Sequence, residues 1–202
     1  EPCLSLTKLV LEDAFHVMKE DAEKCGSSIL YELEDLKTAF VQAKTVAYHE
    51  HIEVAPGVVA MFHEAGHVLG SAYISVDAEG KRLIFSGDIG NDDVPILPNT
   101  EPISHADVVI CESTYGHREH EPMQTRRQLL KEAIERVIHS RGVLMIPAFS
   151  IERTQELLFE IDRLLLNELK TNLPIYLDSP MAIKATALYR HFKQYLRFDV
   201  PI

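Results

Sequence analysis

The stretch from Met61 to Asp88 constrains the fold of this chain more than any other part of the sequence. Two apolar runs, Val58–Phe62 and Leu83–Phe85, each lead into a glycine-containing segment. Between them apolar and polar residues alternate, and Asp77–Gly80 has the composition of a tight turn with a glycine at a position of positive φ. The stretch therefore predicts strands joined through a β-hairpin, with loops after the strands that could carry functional side chains.

Two side chains at these strand ends are candidate metal ligands. His67 follows Gly66 after the first apolar run, and Asp88 follows Gly87 after the second. Imidazole and carboxylate groups in such loops are common metal ligands. Taken alone, the pair also fits a hydrogen-bonded structural histidine and an ordinary Ser-Gly-Asp turn, because a catalytic zinc takes about three protein ligands.

Five sequence motifs extend this pattern along the chain. In order, they are AGHVLGSA, FSGDIGN, ICESTYG, IPAFSIERTQE and YLDSPMA. Together they resemble the β-CASP nucleases of the metallo-β-lactamase superfamily, which include RNA-processing enzymes, and the resemblance covers nearly the whole chain. It implies an α/β fold: part of a metallo-β-lactamase αββα sandwich, followed by part of an inserted β-CASP domain with a parallel sheet.

The resemblance also implies roles for individual residues. His67 and Asp88 would be zinc ligands, with Asp88 bridging two zinc ions. Glu112 would be the first acidic residue of the β-CASP part, acting in catalysis with Asp88 by orienting a histidine through a hydrogen bond. The implied reaction is hydrolysis of phosphodiester bonds in single-stranded RNA by two zinc ions. His63 enters the same loop as His67 and is a candidate for supporting a metal ligand or facing the substrate.

The main histidine cluster of the family is not present in this sequence. No His-x-His-x-Asp-His string occurs in it. The chain is therefore predicted to be an internal piece of a longer enzyme, and we expect the isolated chain to be inactive. His49 and His51 are two residues apart in a strand expected over Thr45–Val54, but a solvated strand face explains that spacing without a metal.

Periodicity along the chain predicts further helices and strands. The helices are expected at Ser5–Ala22, Leu30–Val41, Thr125–Ser140, Ile151–Leu169 and Met181–Leu196. Buried strands are expected at Ala106–Cys111, Val143–Ile146 and Pro174–Leu177. Because strands and helices alternate after Gly116, a parallel sheet is predicted there. We accordingly predict two partial domains, residues 1–116 and 117–202.

Three residues are candidates for RNA binding. Arg153 and Ser179 follow the expected strands of the second half, where helix N-termini present free N–H groups to phosphate. Tyr115 could stack or hydrogen-bond at the mouth of a cleft. A surface salt bridge for Arg153, a helix cap for Ser179 and simple packing for Tyr115 are the alternatives, and the sequence leaves both interpretations open.

Net charge, hydropathy and cysteine content bear on the binding partners and the cellular location of the protein. A formal net charge of −11 argues against a general nucleic-acid binder, but not against a nuclease whose metal ions add positive charge where phosphate binds. No run approaches the ~18–20 apolar residues of a membrane span, so no membrane partner is predicted. The three cysteines are far apart, which favours a cytoplasmic protein. Oligomeric state is left open, with a homodimer as the candidate.

Three other functions fit parts of this pattern. A DNA-repair nuclease of the same superfamily would share most of the motifs. A small-molecule hydrolase of the superfamily would lack the alternating strands and helices after Gly116. A non-catalytic scaffold in an RNA-processing complex would usually have lost metal ligands, whereas His67, Asp88 and Glu112 are all present.

Overall fold

The computed structural model describes residues 1–92 and 94–197, which form α-helices and one β-sheet. In chain order, its elements are α1 (Pro2–Cys25), α2 (Leu33–Gln42), β1 (Ile52–Ala55), β2 (Val58–Glu64), β3 (Ala72–Ala78), β4 (Lys81–Phe85), β5 (Val108–Ile110), α3 (Met123–Ser140), α4 (Arg153–Arg163) and α5 (Pro180–His191). A π-helical segment, Leu164–Leu169, extends α4, and a 3₁₀ turn, Lys193–Tyr195, follows α5. The α/β class is confirmed. We call residues 52–112 the sheet region and residues 117–197 the helical region.

The sheet has five strands in the order β1-β2-β3-β4-β5. The first four strands are antiparallel neighbours, and β5 lies parallel to β4. The β3–β4 hairpin closes at the pair Ala78 and Lys81. Its two loop residues, Glu79 and Gly80, have φ values of 51° and 71°, as a type I′ turn requires. The hairpin predicted from the sequence is thus confirmed.

The main hydrophobic core joins the two regions of the chain. It packs α1 against α5 and brings in the loop after β2, the segment around Ile96 and one residue of α4. Its buried members are Leu6, Leu9, Leu69, Val94, Ile96, Leu97, Phe159, Ala185, Tyr189, Phe192 and Leu196. A smaller cluster of Ile134, Leu164 and Leu165 packs α3 against the π-helical segment. The loop that carries His67 is therefore anchored on residues of the helical region.

All five predicted helices are present, with different ends. α1 extends beyond the predicted Ser5–Ala22 because Pro2 suits a first helical turn, and Gly26, at φ 70°, ends the helix in the left-handed conformation. The predicted helix Ile151–Leu169 is α4 together with the π-helical segment. Across the described ranges, no helix has the length and apolar content needed to cross a membrane.

The strand predicted over Thr45–Val54 is wrong over most of its length. Tyr48 and His49 form a turn, with φ 64° at His49, and β1 begins only at Ile52. His49 and His51 consequently do not alternate along a strand. The turn places the His49 side chain beside Glu101.

The strands predicted at Val143–Ile146 and Pro174–Leu177 are also not formed. Among the described residues no strand follows Ile110. Met145 and Tyr176 are 85% and 86% exposed. A strand needs a hydrogen-bonded partner, and neither segment has one in the described part of the chain. The parallel pair in the fold is β4–β5 instead. β5 was predicted to be buried, but as the edge strand it is about half exposed.

Candidate metal and nucleic-acid site

The His67 loop is held in shape by short hydrogen bonds. The buried carboxylate of Glu64 accepts from the N–H of Gly66 at 2.8 Å. Burial raises the pKa of Glu64 above its usual range. Ser71 Oγ accepts from the N–H groups of His67 and Val68, at 3.0 and 3.2 Å. These contacts order the backbone of the loop and leave the His67 imidazole exposed to solvent.

The Asp88 loop packs directly on the His67 loop. The N–H of Gly90 donates to the carbonyl oxygen of Ala65 at 2.8 Å. A Cβ atom on Gly90 would lie 1.8 Å from the carbonyl oxygen of Gly66, so only glycine fits there. The Asp88 carboxylate is exposed and makes no hydrogen bond or ion pair with the described residues.

Glu112 joins this pair of loops from the end of β5. Its N–H donates to Ser86 Oγ at 3.0 Å. Its carboxylate accepts from Thr114 Oγ1 at 2.6 Å and from the N–H of Ile89 at 2.7 Å. These two donors, with Thr114 as the larger cause, hold the pKa of Glu112 below its usual range. An ionised Glu112 therefore fixes the backbone next to Asp88. Sequence reasoning did not identify this contact.

His63 points to a different set of partners. Its Nε2 lies 2.9 Å from Ser75 Oγ, and its ring stacks on Tyr73 at 4.6 Å between centroids. Its Nδ1 lies 3.6 Å from Glu101 Oε2. No hydrogen bond links the His63 side chain to His67 or Asp88 in the described residues. Its supporting or substrate-facing role at the His67 loop stays a prediction.

A buried polar chain connects the His67 loop to the helical region, and the sequence analysis missed it. The N–H of Leu69 donates to Tyr189 Oη at 3.2 Å, and the Tyr189 hydroxyl donates to Glu152 Oε2 at 2.5 Å. Burial raises the pKa of Glu152 to about 8, and burial raises the pKa of Tyr189 as well. A sequence signal existed in IPAFSIERTQE, where an acidic residue lies next to the apolar Ile151, but the pattern does not identify a tyrosine partner.

The candidate RNA-binding residues are each engaged within the chain. Arg153 Nη1 donates to Glu156 Oε2 at 2.6 Å, with the Arg153 side chain 55% exposed. Burial raises the pKa of Glu156, and the charges of Arg153 and Arg126 lower it in part. Ser179 Oγ accepts from the N–H of Ala182 at 3.2 Å and so caps α5.

Tyr115 lies on the surface shortly after Glu112. Its ring is 52% exposed and lies under the guanidinium of Arg118, whose Cζ is 5.1 Å from the ring centroid. The ring of His120 meets it edge-on at 4.6 Å. An exposed ring beside a cation suits stacking on a nucleobase, although these intramolecular contacts satisfy it equally well.

The side chains of His67 and Asp88 are of types that bind zinc. His67 supplies an imidazole and Asp88 a carboxylate, both with lone pairs that no described residue occupies by hydrogen bonding. Two donors do not complete a catalytic zinc site, which takes about three protein ligands. The three motif loops are brought together by the hydrogen bonds of the Gly90 N–H to Ala65 and of the Ile89 N–H to the Glu112 carboxylate.

The chain is similar in sequence to a known domain family and to curated proteins from bacteria and archaea. Residues 154–201 match the model of the Beta-Casp domain. The chain is 34% identical over 199 residues to Ribonuclease TTHA0252 of Thermus thermophilus, covering 96% of this chain and 43% of that protein. It is 35% identical over 175 residues to an RNase J-like protein of Methanocaldococcus jannaschii, covering 82% and 40%.

Eukaryotic proteins are similar as well. The cleavage and polyadenylation specificity factor subunit 3-I of Arabidopsis thaliana is 32% identical over 190 residues, covering 93% of this chain and 27% of that protein. The chain thus spans less than half the length of each of these curated relatives.

Proposed function

Because this chain is a relative of the β-CASP nucleases of the metallo-β-lactamase superfamily, we propose that it forms part of a zinc-dependent nuclease that hydrolyses phosphodiester bonds of single-stranded RNA. In this proposal residues 1–116 belong to the metallo-β-lactamase domain and residues 117–202 to the β-CASP domain. The relatives named ribonuclease or RNase J-like support RNA as the substrate class.

One observation carries the proposal. The loops of His67, Asp88 and Glu112 are separated along the sequence, yet they meet through the contacts Gly90 N–H to Ala65 O and Ile89 N–H to Glu112 Oε1. Metal ligands need such fixed backbones, because their side chains must hold one geometry. Simple packing of a turn and a helix cap would not require all three motifs at one place.

The residues have separate roles in this proposal. His67 and Asp88 would hold the zinc, which when bound would supply a water molecule of lowered pKa and positive charge for the phosphate. Glu112 keeps the Asp88 loop in place through the N–H of Ile89, and its proposed hydrogen bond to a histidine would use the same ionised carboxylate. His67 and Asp88 do not complete a zinc site alone, so we expect the isolated chain to be inactive.

Arg153 and Ser179 of the helical region, together with Tyr115, supply the substrate contacts in this proposal. The exposed Arg153 guanidinium would exchange its bond with Glu156 for a phosphate oxygen. Ser179, at the start of α5, would donate a hydrogen bond from its hydroxyl group to a second phosphate oxygen. The Tyr115 ring would stack on a base. Three free cysteines support the cytoplasmic location. A homodimer stays a prediction.

The test measures zinc content and cleavage in the complete protein. Asp88→Ala should lower cleavage of single-stranded RNA by more than about a hundredfold, since a metal contributes several kcal/mol to such a reaction. Glu112→Gln should reduce cleavage and retain zinc. His105→Ala, an exposed histidine outside these loops, is the control for His67→Ala. Full activity in Asp88→Ala, or faster cleavage of duplex DNA than of RNA, would contradict the proposal.

A further inference from the structure

His49, His63 and Glu101 form a cluster that the proposed reaction does not use. Among the described residues this is the group of three potential metal ligands whose ligand atoms all lie within 4.8 Å of one another. His49 comes from the turn before β1, His63 from β2, and Glu101 from the segment after Ile96. Three separate segments therefore direct ligand-type atoms to one point.

The spacing of these atoms suits a tetrahedral metal ion. His49 Nε2 lies 2.8 Å from Glu101 Oε2 and 3.1 Å from Glu101 Oε1. His63 Nδ1 lies 3.6 Å from Glu101 Oε2, too far for a hydrogen bond. A tetrahedral zinc with bonds of about 2.0–2.1 Å places its ligand atoms about 3.3 Å apart. The distances from the two histidines to Glu101 lie on both sides of that value, and all three ligand atoms lie within 4.8 Å of one another.

The His63 ring is already arranged as a metal ligand. Ser75 Oγ lies 2.9 Å from its Nε2, which leaves Nδ1 directed at the cluster. Stacking on Tyr73 fixes the plane of the ring. Hydrogen bonding of the second ring nitrogen and a fixed ring plane are typical of metal-bound histidines.

We propose that His49 Nε2, His63 Nδ1 and a carboxylate oxygen of Glu101 form a second metal site, which takes a divalent transition metal such as zinc. The ligand set of two imidazoles and a carboxylate is one that zinc accepts. Three protein ligands leave a fourth position for water. The His49 and Glu101 side chains are 58% and 33% exposed, so solvent and the ion can reach it.

Metal binding there would brace the His67 loop. The N–H of Glu101 donates to the carbonyl oxygen of Glu64 at 3.0 Å, and Thr100 Oγ1 donates to that of Ala65 at 2.7 Å. Glu64 and Ala65 lie directly before the loop. An ion that ties Glu101 to β2 therefore holds both backbone contacts in place.

The test separates this site from the proposed catalytic one by using a background variant, His67→Ala with Asp88→Ala, of the complete protein. Zinc binding is titrated by calorimetry, and cobalt binding is followed by the visible spectrum of a tetrahedral ion. The ligand variants are His49→Asn, which retains a residue that tolerates the positive φ at this position, and Glu101→Gln. His51→Ala is the matched control, an exposed histidine outside the cluster.

We expect the background protein to bind a metal ion at this cluster and each ligand variant to bind it at least about 100-fold more weakly. Ser75→Ala, which removes the partner of His63 Nε2, should weaken binding by about 10–100-fold. His51→Ala should change nothing. The proposal is overturned if the background gives no tetrahedral cobalt spectrum, or if His49→Asn and Glu101→Gln bind zinc as tightly as His51→Ala does. Circular dichroism confirms that each variant is folded.

Discussion

The sheet region and the helical region both contain short apolar runs, but among the described residues only the runs of the sheet region form strands. Leu83–Phe85 pairs with β3 through a two-residue turn, and Ile84 is 2% exposed. Val143–Ile146 is also an apolar run, yet it pairs with no described strand. Antiparallel strands find partners a few residues away, whereas a parallel strand needs a partner beyond a long crossover. Composition therefore identifies a run that can form a strand, and the strand forms only where the fold supplies a hydrogen-bonded partner.

The same contrast applies to the candidate sites. His67, Asp88 and Glu112 follow strands that are formed, and their loops are fixed by backbone hydrogen bonds. Arg153 and Ser179 follow segments that are not paired, and each takes a partner on its own helix instead. The loops after the strands of the sheet region thus have backbones fixed by hydrogen bonds, whereas Arg153 and Ser179 make only local interactions on their own helices.

The largest expected change in stability comes from a substitution in a formed strand, compared with one in an unpaired segment. Ile84→Ala should lower the free energy of unfolding by about 2–5 kcal/mol, because the side chain is buried in a formed strand. Met145→Ala, in the unpaired segment and 85% exposed, should change it by less than about 0.5 kcal/mol. Urea denaturation measures both. Equal losses in the two variants would mean that Val143–Ile146 is packed like a strand.

A somewhat smaller effect is expected where the two motif loops touch. Gly90→Ala places a Cβ atom against the Gly66 carbonyl group and should cost about 1–3 kcal/mol, since backbone must shift. Gly116→Ala is the control, because its Cβ would meet Ser113 at ordinary distances of 3.4 Å or more. Comparable stability of the two variants in urea denaturation would show that the His67 and Asp88 loops are not packed as described.

The next effect on stability is expected from the hydrogen bonds that link Leu69, Tyr189 and Glu152. Tyr189→Phe removes both the acceptor of the Leu69 N–H and the donor to Glu152, so it should cost about 1–3 kcal/mol. Amide hydrogen exchange at Leu69 should accelerate by more than exchange within β3. Tyr176→Phe, at an exposed tyrosine, is the control. Unchanged exchange at Leu69 would show that the helical region does not anchor this loop.

The smallest effect concerns pH. Burial raises the pKa of Glu152 to about 8, so the folded chain binds a proton that the unfolded chain has released from about pH 4.5 upwards. This contribution to stability is complete below about pH 4.5 and is lost as the pH rises through about 8. Glu152→Gln should flatten that part of the curve of unfolding free energy against pH. An identical slope in wild type and variant between pH 5 and 8 would contradict the burial of Glu152.

Much of the sheet region could be predicted from the sequence. The turn at Glu79–Gly80 follows from a glycine beside alternating residues, and the loop positions of His67 and Asp88 follow from apolar runs that end in glycine. The family resemblance added Glu112, which the local pattern would have treated as a cap. The strands predicted at His49 and in the helical region were wrong because an apolar or alternating pattern shows that a segment can be a strand, without showing what it pairs with.

The helices, the β3–β4 hairpin and the family relationship could be inferred from the sequence alone, because they depend on residues within a few positions of one another or on motifs in order. Which side chains meet depends on the tertiary structure. Tyr189 reaches Glu152 across 37 residues, and His49 reaches Glu101 across 52. Such contacts depend on how α1, α5 and the loops pack around one core. A local pattern carries no information about packing at that distance along the chain, since the pairing is set by the fold as a whole.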